Sequence, residues 1–455
     1  MIYQLVQEMA GGNPAKPFVI EAGGVCNYGD MVARARCTAG HLVNRGITRF
    51  LVYLDDSAEL ICLLLAANLA GAQVAVVNRR YGAEELRSAA ETAGMSDLVT
   101  AETIQGFAGR QVLFRELDSP EAGEYGGPSL HLASRVVILT TGTTGRPKGA
   151  VYSWERLVKQ IKVKTGHEAS RWLLLYNLNH FAGYQVLIHV LCNRATLVIP
   201  RSREPRDVAA AMDQGRVTHV SATPTFWRVF LGQMGHLDFG NLCIQQITLG
   251  GEAADGPLLD ALARAFPAAA ITQVYATTEF GSCFSVNDGK PGFPVSLLEN
   301  HSREIQLKII GDELYVRSPY AMLRYTGGES GEPAGWQPTG DMVAIEGDRV
   351  RFLGRKSEII NVGGVKVHPL EVESVVQGTA GVRFVRAYGK KNPVTGSLVA
   401  VDVQLEEGAS PGEVEREIRA RCTRTLDRYK QPRIIQFVSD LARANEKILR
   451  RGAEE

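Results

Sequence analysis

A chain of 455 residues, 45% apolar and 22% charged, has the make-up of a soluble globular protein with room for more than one domain. A formal net charge of +1 gives no electrostatic case for nucleic acid as the main partner. The start MIYQLVQEMAGGNPAKP is not a signal peptide, the apolar stretch near Leu60–Ala72 is too short for a membrane span, and seven scattered cysteines make no C-x-x-C, so a cytoplasmic protein without disulfide framework or zinc site is expected.

The first half alternates strand-like with helical runs. RFLVYLD precedes the helical SAELICLLLAANLAG, then QVAVVN, then the helical AEELRSAAETAG. Later come ATLVIP, the helical PRDVAAAMDQG, THVSATP, QQITLGG and ITQVYATTE. This alternation predicts βαβ units and parallel sheets, an α/β fold. From 284 to 354 the pieces are short and β-like (QLKII, ELYVRS, MVAIE), which predicts a small barrel or a layer of hairpins. GGESGEPAG, at 327–335, is a loop by composition. After about 355 a compact α+β unit follows, so the predicted domains are 1–354 and 355–455.

Five stretches carry chemistry. LTTGTTGRPKG, at 139–149, follows the apolar run Val136–Leu139. Its glycines allow close approach to a ligand, its threonines supply hydroxyls, and Arg146 and Lys148 supply charge, a combination suited to polyphosphate. It is not a Walker A loop, because Pro147 precedes the lysine and Gly149 follows it. YATTEFGS, at 275–282, puts Thr277, Thr278 and Glu279 at a strand's C-terminal end, where α/β sheets bind ligands. A carboxylate there suits Mg²⁺, although a solvated strand-end Glu is the simpler account of that stretch alone. WQPTGD sets Asp341 after a tight Thr-Gly turn, able to accept both ribose hydroxyls or merely to cap a hairpin. FLGRKSEIINVGGVKVHPLEVE joins a glycine turn and Arg355 to a Gly-Gly pair and a helix opened by Pro369. ARANEKILRRG holds Lys447, which by itself reads as part of a basic, solvated tail.

In this order and spacing the stretches resemble those of the adenylate-forming superfamily of acyl- and aryl-CoA synthetases, stand-alone adenylation domains and luciferases. The resemblance covers nearly the whole chain. It implies a large N-terminal domain of stacked mixed α/β sheets plus a small β layer, with a smaller mobile α+β C-terminal domain. It also implies two steps: a small carboxylic acid attacks the α-phosphate of ATP, then a thiol, that of coenzyme A or a carrier protein, takes the acyl group. By that resemblance Thr140, Thr141, Gly142, Thr143, Thr144 and Lys148 hold the β- and γ-phosphates. Thr278 bonds the α-phosphate, and Glu279 holds Mg²⁺. Asp341, helped by Arg355, takes the ribose. Gly250, Gly251, Glu252, Tyr275 and Ala276, beside Thr277, flank the adenine and acyl end. Lys447 catalyses adenylation, and rotation about 354–358 exchanges it for Gly363 and Gly364.

The resemblance has departures. Ser357 stands at the hinge where Asp or Lys is usual, Ala276 replaces a glycine, and Glu446 replaces the glycine before Lys447. A catalytically weak nucleotide-binding or scaffold protein is therefore the rival reading. An amine or nitrite as partner of the activation step is another. NLNHFAGYQ resembles the superfamily's His-x-x-Gly segment, with His180 as aromatic gate or, equally, a buried core histidine. Phe181 holds the position where amino-acid-activating relatives have Asp, and an unpaired ammonium there is costly. The acid expected is aryl or medium acyl, without an α-amino group. The basic run at 420–433 is a solvated face or, less simply, a contact for coenzyme A phosphates or an acidic carrier.

Overall fold

The computed structural model describes residues 1–119, 125–141, 147–161, 163, 166–299, 304–328, 335–393, 396–439 and 441. Two large sheets carry the N-terminal part. One runs in the order Arg324–Tyr325, Pro147–Ser153, Arg135–Thr141, Gln73–Val76, Arg49–Tyr53, Asp97–Thr100, Arg110–Leu113. The other runs Gly281–Val286, Ala270–Thr277, Gln246–Gly250, His219–Ala222, Arg171–Leu173, Thr196–Val198, Pro17–Glu21, Gly24–Asn27. Neighbours joined through a helix are parallel, as the alternation predicts.

Helices Tyr28–Asn44, Ala58–Ala70 and Phe181–Cys192 share one core with both sheets. That core takes Val52, Val74 and Val136 from the first sheet and Phe18, Trp172 and Leu197 from the second. Helix Ala58–Ala70 is buried all round because apolar layers meet it on opposite sides, hence its unbroken ICLLLAA. Ser57 starts it by accepting Leu60 N–H at 3.3 Å, and Gly71, at φ 75°, ends it. The second sheet's other face packs a separate core of Val220, Ala222, Ile247 and Leu249 under helices Pro205–Gln214, Pro224–Met234 and Gly256–Ala265. Trp227, fully buried, meets Phe226, Phe230 and Phe266 edge-on there.

The β-rich stretch is an open antiparallel sheet, not a barrel. Its order is Phe293–Pro294, Arg349–Arg355, Gln337–Glu346, Glu313–Arg317, Gln306–Ile310. PTGD is also not a hairpin turn. It lies inside strand Gln337–Glu346, where pairing passes from Tyr315–Pro338 to Glu313–Met342, so Thr339–Asp341 bulges around Gly340 at φ 75°. Thr-Gly serves a turn and a bulge equally well, which is why the residues alone mislead.

The smaller C-terminal unit has its own core, from Ile360 and Val367 to Val403 and Leu426. Helices Pro369–Gln377 and Pro411–Thr425 pack on strands Ile360–Val362, Val382–Asn392 and Gly396–Leu405. The basic run is ion-paired in part: Lys430 meets Glu371 at 2.7 Å, and Arg424 meets Glu417 at 3.3 Å. Among the described residues no helix is long and apolar enough to cross a membrane.

Candidate active site

A cavity of about 1870 Å³ opens where the two large sheets, the antiparallel layer and residues 355–358 meet. One end is built on the hairpin of Arg135–Thr141 and Pro147–Ser153, whose pairing continues to Thr141–Pro147. Thr140 and Lys148 line this end. The Thr140 hydroxyl donates to Lys148 O at 3.3 Å, and the Lys148 ammonium stands 5.6 Å from the centre of the Tyr325 ring. Gly142, Thr143, Thr144 and the side chain of Thr141 lie outside the described residues.

Thr278 and Glu279 line the same end, in the turn between Ala270–Thr277 and Gly281–Val286. Thr277 shapes the turn by accepting Phe280 N–H at 3.0 Å. Tyr152, on strand Pro147–Ser153 of that hairpin, donates to Thr278 O at 2.8 Å, and Tyr325 donates to Glu279 Oε1 at 3.3 Å. Burial and, next, the Glu279 charge raise the Tyr325 pKa, so it stays a donor. Neither tyrosine was singled out in the sequence, where each sits in a stretch that reads as strand or loop.

Tyr275 and Asp341 are joined by a hydrogen bond of 2.6 Å. The Tyr275 ring stacks between Phe284 and Phe352, with centroids 5.2 and 5.1 Å away. Arg355, cross-strand from Asp341, reaches its other oxygen at 3.1 Å. The Asp341 side chain is 13% exposed, beside Thr339, Gly340 and Arg355, which line the cavity. Glu313, buried, accepts Gly340 N–H at 3.1 Å and pairs with Lys356 at 2.8 Å, tying residues 355–358 to the bulge.

Another part of the wall comes from a helix. Helix Phe181–Cys192 contributes Phe181, Ala182, Gln185, Val186 and His189, one helical face. His180 caps this helix, is exposed and lines the cavity, so it is not a core histidine. Gly183 explains the His-x-x-Gly spacing. A Cβ there would stand 2.7 Å from the Asn177 carbonyl carbon, and closer to its oxygen, so only glycine lets the helix sit this near the 177–178 backbone. Gly250, Gly251 and Ala276 line the cavity as well. Glu252 does not: its carboxylate accepts Thr225 N–H at 3.0 Å and the Thr225 hydroxyl at 2.6 Å, at the start of helix Pro224–Met234. Gly363 and Gly364, with φ 60° and 88°, are exposed and also stand apart from the cavity wall. Lys447 and Glu446 lie outside the described residues.

The family model described as AMP-binding enzyme matches residues 6–332, and that of the AMP-binding enzyme C-terminal domain matches 371–446. The chain is an AMP-binding enzyme. Among relatives of this AMP-binding enzyme is a 2-succinylbenzoate–CoA ligase of Geobacillus kaustophilus, 26% identical over 88% of this chain and 86% of the relative. A ligase of the same name from Bacillus subtilis is 25% identical, over 90% and 88%. The o-succinylbenzoate CoA synthetase of Bacillus subtilis, solved with its acyl-adenylate, superposes with a TM-score of 0.82 at 22% identity, over 99% of this chain and 98% of that one. An anthranilate CoA ligase solved with anthranoyl-AMP gives 0.85 at 19%, over 98% and 95%. The stacked-sheet architecture, with its large N-terminal and small C-terminal domains, is thus that of known adenylate-forming enzymes.

The site of this AMP-binding enzyme fits a Mg²⁺ ion beside one carboxylate. Glu279 opens onto the cavity, and no cluster of three His, Cys, Asp or Glu occurs among the described residues. Magnesium commonly binds through one carboxylate, waters and substrate phosphates.

Proposed function

We propose that this AMP-binding enzyme activates an aryl or medium acyl carboxylic acid, without an α-amino group, as its adenylate and passes the acyl group to coenzyme A. The observation that carries this is the cavity itself. Thr140, Lys148, Thr278 and Glu279 line one part of it, and helix Phe181–Cys192, which among the described residues brings no carboxylate to the wall, lines another. The CoA-ligase relatives agree with it.

In the first step a carboxylate oxygen bonds to the α-phosphorus and the bond to pyrophosphate breaks. Lys148 and the threonines of 140–144 would hold the β- and γ-phosphates, and Thr278 the α-phosphate. Glu279 would hold Mg²⁺, which neutralises phosphate charge. Asp341, already fixed by Tyr275 and Arg355, would accept the ribose hydroxyls. Lys447 would stabilise charge developing on the α-phosphate and attacking oxygen. The thiol then bonds to the acyl carbon, and AMP leaves with the electron pair. The C-terminal unit, from about residue 355, would turn between the steps, carrying Lys447 out and Gly363–Gly364 in.

The test is acid-dependent exchange of labelled pyrophosphate into ATP, followed by AMP release on adding coenzyme A. Exchange with aryl or medium acyl acids, and AMP release only with coenzyme A, is expected. Exchange confined to amino acids, or acyl transfer only to a carrier protein, overturns the corresponding half.

A further inference from the structure

The second sheet has two unlike faces. One buries Val220, Ala222, Ile247 and Leu249. Of the alternate residues of the same strands, Ser221, Gln246 and Thr248 line the cavity, and they are polar. Ser221 pairs with Thr248, and Thr248 with Thr272, so three hydroxyl residues stand side by side across three adjacent strands. Neighbouring strands lie about 4.8 Å apart, so the row is continuous at the scale of one small functional group. The next row adds Gln246, whose amide donates to Thr248 Oγ1 at 3.2 Å. Beyond it, Trp172 stacks between His219, with centroids 4.5 Å apart, and His189, at 5.1 Å.

A sheet covered on both faces normally reads as a continuous apolar run, because a covered face buries side chains. Hydroxyls in that position need something polar to face. Their neighbours towards the nucleotide end, Gly250 and Val274, are small or apolar and one step of about 7 Å up the strands. Among the described residues, strands Arg171–Leu173, His219–Ala222, Gln246–Gly250 and Ala270–Thr277 and helix Phe181–Cys192 put no Asp, Glu, Lys or Arg in the cavity wall. The charged residues of the lining, Lys159 and Glu304 among them, belong to other elements, so the row itself offers polarity without fixed charge, which selects an uncharged group.

We infer that the acid carries an uncharged hydrogen-bonding group (a hydroxyl, keto or amide oxygen) several bonds from its carboxyl, received by the Ser221–Thr248–Thr272 row. This rests on the acid-activation reading and deepens it. Thr248 and Thr272 are then specificity-determining residues, and plain fatty or unsubstituted aryl acids are poor substrates because they displace water from the hydroxyl row and offer it no hydrogen bond in return.

The test uses matched acids in the pyrophosphate-exchange assay: benzoate against 3- and 4-hydroxybenzoate, and hexanoate against 5-oxohexanoate. The wild type should favour the oxygen-bearing member of at least one pair by about tenfold or more in kcat/KM. Thr248→Val and Thr272→Val keep the shape of the side chain and remove the hydroxyl. They should shrink that preference to about twofold by losing the polar acid, with KM for ATP unchanged. Ser221→Ala is the second route should either valine variant fail to fold. Equal or better exchange with the plain member of every pair overturns the inference and leaves acid activation standing. So does a preference that survives all three substitutions. No exchange with any acid, in protein that binds ATP, overturns acid activation itself and this inference with it.

Discussion

Tyr275 donates its phenol to Asp341 Oδ2 at 2.6 Å while Arg355 holds Oδ1 at 3.1 Å, so the carboxylate is fixed from both sides. Burial first, and then the Asp341 charge, hold the Tyr275 pKa well above its ordinary value, so the phenol remains a donor throughout the working pH range. Tyr275→Phe keeps the ring stack and removes only the donor. We expect KM for ATP to rise about tenfold and stability to fall by about 1–2 kcal/mol, read by kinetics and denaturant melts. Unchanged KM would show that Asp341 does not meet the nucleotide.

Lys447→Ala should lower pyrophosphate exchange by about 10²–10³-fold. Thioester formation from supplied acyl-adenylate should persist, because in the proposed mechanism that step does not use the lysine. The two half-reactions, measured separately, decide the matter: equal loss in both would remove Lys447 from the adenylation step.

Gly183→Ala places a methyl against the 177–178 backbone and must push helix Phe181–Cys192 outward. The helix carries His180, Gln185 and His189 into the cavity wall, while Thr140, Lys148 and Glu279 belong to other elements. KM for the acid should therefore rise severalfold with KM for ATP unchanged. A rise in KM for ATP alone would contradict this division of the cavity.

His368 precedes helix Pro369–Gln377, and its Nδ1 is buried with no hydrogen-bond partner among the described residues. Burial, the largest effect, lowers its pKa below the ordinary 6.5. The unfolded chain then binds the proton more readily than the folded one, so stability is full above about 6.5 and falls as pH drops through the window below it. Melting temperature should decline from pH 7 to pH 5, and His368→Gln should flatten that slope. An identical slope in the variant would assign the decline to other groups.

The legible parts of this protein are those whose chemistry is contiguous in the chain. LTTGTTGRPKG suggests a phosphate loop because hydroxyls, glycines and lysine fall within eleven residues, and its described ends, Thr140 and Lys148, line the cavity. The βαβ alternation was equally plain, since each strand and helix carries its own period. What stayed hidden is assembled from distant segments. Tyr152 reaches Thr278 over 126 positions, and the hydroxyl row joins residues 221, 248 and 272, a relation that only strand register creates. Glu252, which the resemblance places near the adenine and acyl end, shows the same dependence: its carboxylate accepts from Thr225 on another element, a contact the sequence does not announce.

The two-faced sheet also separates what the chain must keep from what it can change. Ile247 and Leu249 are packed in the core, while Gln246 and Thr248, alternating with them, line the cavity. Exchanging the second set leaves the packing of the first untouched, because successive side chains on a strand point to opposite sides. Selection can thus retune the choice of acid one residue at a time, without passing through unfolded intermediates. A library confined to positions 221, 246, 248 and 272 is where new specificities of this enzyme should be sought.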